Sequence, residues 1–340
     1  MNRYVVGNAP QKPDRHRTML ENAFAAALLM TAAAPVRSNA APVETFVEAP
    51  GPLGPLKGTM LSPGSHNAPV VLIIPGSGPT DRDGNSPLGV KAAPYRLLAE
   101  NLVQRGIATV RIDKRGMFAS GGAVPDANAV TIGDYAADVH AWVAAIRKET
   151  GAPCVWVLGH SEGGLVALAA AQTPVGFCGL ILVSTAGRPL GEVLRDQLRA
   201  NPANAPILDS ADAAITALEA GRRVDVSTLH PALQRLFAPA VQGFLISELS
   251  LDPAKLIAGY SGPVAILQGD SDLQVTVVDA HRLKAADPAA ALRILAGVNH
   301  VLKSASATDR AANIATYADP SLPLAPGVAE AVADFVQASR

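Results

Sequence analysis

Apolar and polar positions along this chain fall into two alternating patterns. Val43–Val47 and Leu56–Leu61 are short runs joined through a Gly/Pro-rich turn, and they read as a pair of strands. From Val70 onward the apolar residues gather into short runs. Val70–Ile74, Ala108–Ile112, Val155–Leu158, Leu180–Val183, Val264–Gln268 and Leu292–Leu295 are the strand candidates. Longer stretches with helical spacing lie between them. Pro94 to Arg105 carries Pro at its start and Gly106 after its end, whereas Thr131 to Lys148 opens with Thr131 and has Asp134 at capping-box-like spacing. Strand and helix in alternation predict a mostly parallel central sheet with helices on both faces, with reactive groups at the carboxyl ends of strands.

One stretch breaks that rhythm. Leu190–Ala200, Ala211–Ala220, Pro231–Leu249 and Pro253–Ala258 are all helical in pattern and separate two sheet strands by far more than an ordinary crossover. We read residues 187–262 as a helical cap inserted into a core made of residues 41–186 and 263–340. The alternative, a second independent domain, is disfavoured because the segment is small to fold alone.

The chemistry centres on Val155-Trp156-Val157-Leu158-Gly159-His160-Ser161-Glu162-Gly163-Gly164. A strand that turns sharply into a helix lifts a serine at the apex of the turn, and the flanking positions approach so closely that both must be small. G-x-S-x-G alone is weak in a chain with 29 glycines, but the strand before it and the helix formers after it supply the expected context. Gly164 would let the helix lie close to the sheet.

A serine hydroxyl needs a base, and in such sheets the order is serine, then acid, then histidine. His300 follows directly after the last strand candidate and is the expected base. His281 lies in a helical pattern, His66 and His140 precede the serine, and His160 would face away from it. The acid should follow Val264–Gln268, where Asp270 and Asp272 both stand. Asp270 closes a turn directly after Gly269, so Asp272, farther into the loop, is preferred.

These features resemble the α/β-hydrolase superfamily over nearly all of residues 42–340. The elbow around Ser161, the G-x-x-D-x-x-V run from Gly269 to Val275, and Asn299-His300 carry the resemblance. The segment Pro75 to Asn85 and Asp113-Lys114-Arg115-Gly116 are similar to a bacterial subgroup of esterases and serine aminopeptidase-like hydrolases. The resemblance implies an α/β-hydrolase fold with a helical cap, places the acid at Asp272, and makes Ser77 an oxyanion donor through its backbone N–H. The second donor is the N–H of Glu162, at a helix N-terminus. One departure is Pro75, which stands where the family commonly has His. Asp81, Arg82 and Asp83 in the same loop read as a structural ion-pair turn.

Composition narrows the rest. The chain has 340 residues, a formal net charge of -1 and 4% aromatics, with no basic patch, so nucleic acid is not an expected partner. No His/Cys cluster has metal-ligand spacing, and we expect neither cofactor nor metal. Arg15 and Arg17 precede the apolar stretch Ala23 to Ala34, and Ser38-Asn39-Ala40 offers small residues for cleavage. Residues 1–40 therefore read as a secretory signal, which points to a periplasmic or secreted protein without a stable membrane anchor. In that compartment Cys154 and Cys178, near the starts of adjacent parallel strands, form a possible disulfide. The expected activity is hydrolysis of short- to medium-chain acyl esters, with Leu233, Leu236, Phe237, Phe244 and Leu245 offering an acyl surface. The alternatives are an aminopeptidase-like serine peptidase, using Glu192, Asp196, Glu219 or Glu248 to hold an α-amine, and a non-catalytic binding protein. The oligomeric state is not legible.

Overall fold

Eight strands form one sheet: β1 Val43–Ala49, β2 Leu56–Ser62, β3 Val70–Ile74, β4 Ala108–Ile112, β5 Val155–His160, β6 Phe177–Val183, β7 Val264–Gly269 and β8 Ala291–Leu295. A computed structural model describes residues 41–65 and 67–339. The expected signal segment, residues 1–40, lies outside the described residues. The spatial order is β1-β2-β4-β3-β5-β6-β7-β8. β2 pairs antiparallel with both β1 and β4, and the remaining neighbours are parallel. The helices are α1 Pro94–Val103, α2 Ile132–Thr150, α3 Glu162–Ala170, α4 Leu190–Arg199, α5 Leu208–Glu219, α6 Pro231–Gln234, α7 Gln242–Leu249, α8 Pro253–Ala258, α9 Val277–Ala286, α10 Arg310–Ala315 and α11 Val328–Ala338.

Successive residues of a strand face opposite sides of the sheet, which explains why the inner strands are mostly apolar. Leu72, Ile74, Val110 and Val157 pack with Val139, Trp142 and Leu168 of α2 and α3 on one face. Val71, Ile73, Leu158 and Ile181 pack with Leu98 and Leu102 of α1 and with Val328, Val332 and Val336 of α11 on the other. α2 begins where the Thr131–Asp134 pair predicts, with Thr131 and Asp134 closing a reciprocal capping box, and ends at Gly151 in the left-handed region.

Helices α4 to α8 lie between β6 and β7. They bury an apolar cluster of their own, with Ile207, Ala214, Ile215, Leu218, Leu233, Phe237 and Leu249 at its centre. The continuous helix read over Pro231–Leu249 is two helices, α6 and α7, because Pro239 between them has no N–H to continue the ladder. α7 also faces α2: Phe244 meets Tyr135 edge to face, and Ser247 Oγ accepts the backbone N–H of Ile132 at 3.1 Å.

Candidate active site

Ser161 sits between the end of β5 and the start of α3 with φ 56° and ψ −121°. A non-glycine residue there is strained, as a serine held at a strand-to-helix apex should be. The turn closes only because its flanks are small. A Cβ on Gly159 would run into the backbone of Gly163, and one on Gly163 into the carbonyls of Ile74 and Pro75. Thr185 fills the space in which a Gly164 side chain would sit, which brings α3 against the end of β6.

Asp272 and His300 come from loops after β7 and β8. His300 Nδ1 lies 2.8 Å from Asp272 Oδ2 and donates to it. That bond leaves Nε2 as the imidazole's acceptor, the form a general base needs. The other Asp272 oxygen takes the backbone N–H groups of Gln274 (2.8 Å) and Val275 (3.0 Å). Burial works to raise the Asp272 pKa, but the His300 charge and these hydrogen bonds outweigh it and hold the carboxyl below its ordinary value. Asp270 points elsewhere: its Oδ1 accepts the N–H of Gly297 at 2.7 Å. The two aspartates thus separate as the loop geometry predicts, one turned to the histidine and one closing a turn.

Tyr95, His160, Asn299, Asn313 and Thr316 fix this arrangement, and no sequence pattern marks them for that role. Tyr95, in the first turn of α1, accepts the N–H of Gly76 at 3.0 Å and lies 2.9 Å from His160 Nδ1. His160 Nε2 lies 2.8 Å from the carbonyl oxygen of His300. A carbonyl only accepts, so His160 carries its proton on Nε2 and the Tyr95 hydroxyl donates to Nδ1. One buried chain of hydrogen bonds therefore runs from the loop before Ser77, past the elbow, to the backbone of His300. Burial, reinforced by the nearby His300, pushes the His160 pKa down to about 3, so this imidazole is a neutral strut. Asn313 and Thr316 form a second brace. Asn299 Nδ2 donates to Asn313 Oδ1 (3.1 Å) and Thr316 Oγ1 (2.7 Å), and Asn313 Nδ2 donates to the Ser271 carbonyl (2.8 Å). The acid loop and the histidine loop are thereby tied to one another.

A cavity of about 190 Å³ opens at Ser161. Ser77, Glu162, Leu165, Leu190, Val193, Leu194, Glu248 and Val275 are among its walls. The backbone N–H groups of Ser77 and Glu162 have no hydrogen-bond partner among the described residues. The apolar wall differs from the one expected. Leu233 and Phe237 are buried in the cluster between β6 and β7, Leu236 and Leu245 pack against that cluster, and Phe244 packs on the main core. None of the five lines the cavity, and Leu165, Leu190, Val193, Leu194 and Val275 do so instead. Three of the four carboxylates considered for an α-amine are likewise engaged with arginines: Glu192 with Arg282, Asp196 with Arg188, and Glu219 with Arg195. Glu248 alone of the four reaches the cavity.

The polar residues around the site are mostly spoken for. Arg82 pairs with Asp113, Arg111 with Asp83, and Asp81 Oδ1 takes the N–H groups of Asp83 and Asn85, so this loop is an ion-pair turn. Lys114 Nζ donates to the Gly76 carbonyl at 2.7 Å and to Glu162 Oε1 at 3.0 Å, and Arg115 is held by Asp134 and Asp138. Cys154 and Cys178 form a disulfide across the paired starts of β5 and β6, with Cα atoms 5.1 Å apart.

Known proteins similar to this chain include hydrolases and esterases. Residues 88–227 match the family described as Hydrolase_4, serine aminopeptidase, S33. Esterase EstD of Thermotoga maritima is 27% identical over 238 residues, covering 69% of this chain and 54% of that protein. The chain therefore spans about half the length of this curated relative. Among solved structures, Est1E from Butyrivibrio proteoclasticus aligns with a TM-score of 0.52 at 17% identity, covering 87% of this chain and 98% of that one. Esterase Pf2001 of Pyrococcus furiosus aligns at 0.53 with 16% identity, covering 87% and 92%. At these identities the structural likeness speaks to the fold.

Proposed function

We propose that this chain, which has the α/β-hydrolase fold and esterase-like relatives, hydrolyses short- to medium-chain acyl esters through an acyl-enzyme on Ser161. The observations that carry the reading are the His300–Asp272 bond and a strained serine that opens on a cavity. Ser161 Oγ attacks the ester carbonyl while His300 Nε2 takes its proton. The carbonyl π electrons move onto oxygen, where the N–H groups of Ser77 and Glu162 stabilise the charge. Collapse expels the alcohol, which receives the proton from His300. Water then repeats the sequence against the acyl-serine and releases the acid. Asp272 holds the imidazole tautomer and supports its transient positive charge.

Labelling with a fluorophosphonate, followed by turnover of p-nitrophenyl butyrate, tests this reading. Ser161→Ala should abolish labelling and lower kcat by about 10³-fold or more. Full labelling of that variant would overturn the assignment, and absence of labelling in the native enzyme would favour a binding protein. A peptidase reading draws on the S33 match and on Glu248 at the cavity. Turnover of alanine p-nitroanilide with kcat/KM equal to or above the ester's would select it.

For location, we propose the periplasm or the exterior of the cell. The Cys154–Cys178 disulfide supports an oxidising compartment. Fractionation with N-terminal sequencing of the processed protein tests it, and an uncleaved cytosolic product would contradict it.

A further inference from the structure

Glu248 is buried and lines the same cavity as Ser161, and its carboxyl has no hydrogen-bond partner among the described residues. Every other charged group around it is committed. Glu162 is paired with Lys114, whose ammonium also serves the Gly76 carbonyl. Arg188, on the same cavity wall, is held by Asp279 and Asp196. An isolated carboxylate placed in such a site lacks a balancing cation, whereas a carboxylic acid does not need one. A neutral acid brings one O–H donor and one carbonyl acceptor to a cavity whose aliphatic side is formed by Leu165, Leu190, Val193 and Leu194.

We propose that Glu248 is a specificity residue that selects acyl groups bearing a neutral oxygen function, a hydroxyl or oxo group close to the ester carbonyl. The proposal rests on the ester-hydrolase reading above and refines its substrate class. Leu165, Leu190, Val193 and Leu194 would pack the carbon skeleton while Glu248 meets the oxygen. Without such a partner the carboxyl is desolvated for nothing, so a purely aliphatic acyl chain is the poorer fit. The electrostatics agree: burial and the charge of Glu162 push Glu248 up to about 8, against a smaller opposing effect of Lys114.

Three p-nitrophenyl esters of equal length test it: butyrate, 3-hydroxybutyrate and 3-aminobutyrate. Each kcat/KM is divided by the ester's rate of hydroxide hydrolysis at the same pH, which removes intrinsic reactivity. The native enzyme should favour the hydroxy ester over butyrate by about tenfold or more at pH 7, the discrimination expected when one buried hydrogen bond is made or missed. Glu248→Gln, still a donor and an acceptor, should keep most of that preference. Glu248→Leu should reverse it, with butyrate improved and the hydroxy ester impaired. Circular dichroism of both variants establishes that they fold.

A native enzyme without the preference, or a preference that survives Glu248→Leu, would overturn the proposal. So would a Glu248-dependent preference for the ammonium ester, which would make the group a carboxylate that binds amines. In those cases Ser161-dependent butyrate turnover persists and the ester-hydrolase reading stands. Loss of Ser161-dependent turnover of all three esters would remove both.

Discussion

Tyr95→Phe removes one oxygen and should affect both stability and catalysis. That oxygen accepts the buried N–H of Gly76 and donates to the buried Nδ1 of His160. The ring, packed among Val71, Ile73 and Leu98, stays in place. Two buried polar groups then lose their partner, at about 1–3 kcal/mol each. Some relief comes from small shifts, so the expected loss of stability is about 2–4 kcal/mol. For a chain of this size each kcal/mol lowers Tm by roughly 2–4 °C, so Tm should fall by about 4–16 °C. The kinetic effect follows from position. Gly76 precedes Ser77 in the oxyanion loop, and His160 holds the His300 carbonyl. Loosening both should misplace the donor and the base without touching the acyl wall, lowering kcat by about ten- to hundredfold while KM moves less than about threefold. Thermal unfolding and steady-state kinetics on p-nitrophenyl butyrate, below the new Tm, measure the two effects. Unchanged Tm and kcat would refute the bridging role, and a raised KM at constant kcat would place Tyr95 at the substrate.

The other expectations concern the acid, the disulfide and pH. Asp272→Asn should lower kcat by about 10³-fold or more, because the amide favours the wrong His300 tautomer. Asp270→Asn should stay within about tenfold, and the reverse ranking would reassign the acid. The Cys154–Cys178 bridge closes a loop with a sequence separation of 24. Its removal by paired Cys→Ser substitution should lower stability by about 3.5 kcal/mol in the chain-entropy model, which urea unfolding measures; equal stability would show that the bridge does not constrain the unfolded chain. His160 titrates at about 3 in the fold against an ordinary 6.5, so between those values the unfolded chain binds a proton that the folded one refuses. Stability contributed by His160 is therefore complete above pH 6.5 and lost toward pH 3, at up to about 1.4 kcal/mol per pH unit. Asp272, held below its ordinary value, adds to the acid loss. Glu248, raised from 4.5 to about 8, acts oppositely, and its contribution is lost as pH rises through that window. Urea unfolding from pH 4 to 8 should find Glu248→Gln with a flatter alkaline limb than the native protein, and identical limbs would contradict the burial argument.

Much of this was readable from local pattern. The strands announce themselves because an inner parallel strand is buried on both faces and must be apolar throughout, as in Val70–Ile74. Ser161 announces itself because the turn tolerates only small flanks. Asp272 and His300 follow from chain order and from loop position after a strand. Other residues carry no such signature. Tyr95 reaches His160 across 65 positions and Asn313 reaches Ser271 across 42, and a long-range side-chain bond leaves no periodicity behind it. Leu233 and Phe237 show a different failure. An apolar helix face states that something covers it, not what does. Here the covering comes from neighbouring helices, so the residues read as an acyl wall are the inside of their own cluster. Pro239 was visible, but the flanking helical patterns masked the break it makes.

The site's chemistry rests on atoms of only a few residues, and each is positioned from a remote segment. The proposed oxyanion loop is held by α1 through Tyr95 and by Lys114 through the Gly76 carbonyl. The base is held through its carbonyl by His160 and through its ring by Asp272. Lys114 also pairs with Glu162, whose backbone N–H is the second donor in the proposed oxyanion site. Every one of these braces ends on backbone or on a buried partner, so none can shift alone. Glu248 differs from all of them in having nothing to hold. Among the described residues it is a buried carboxyl on the cavity wall without a partner of its own, and that is where a substrate oxygen would supply one.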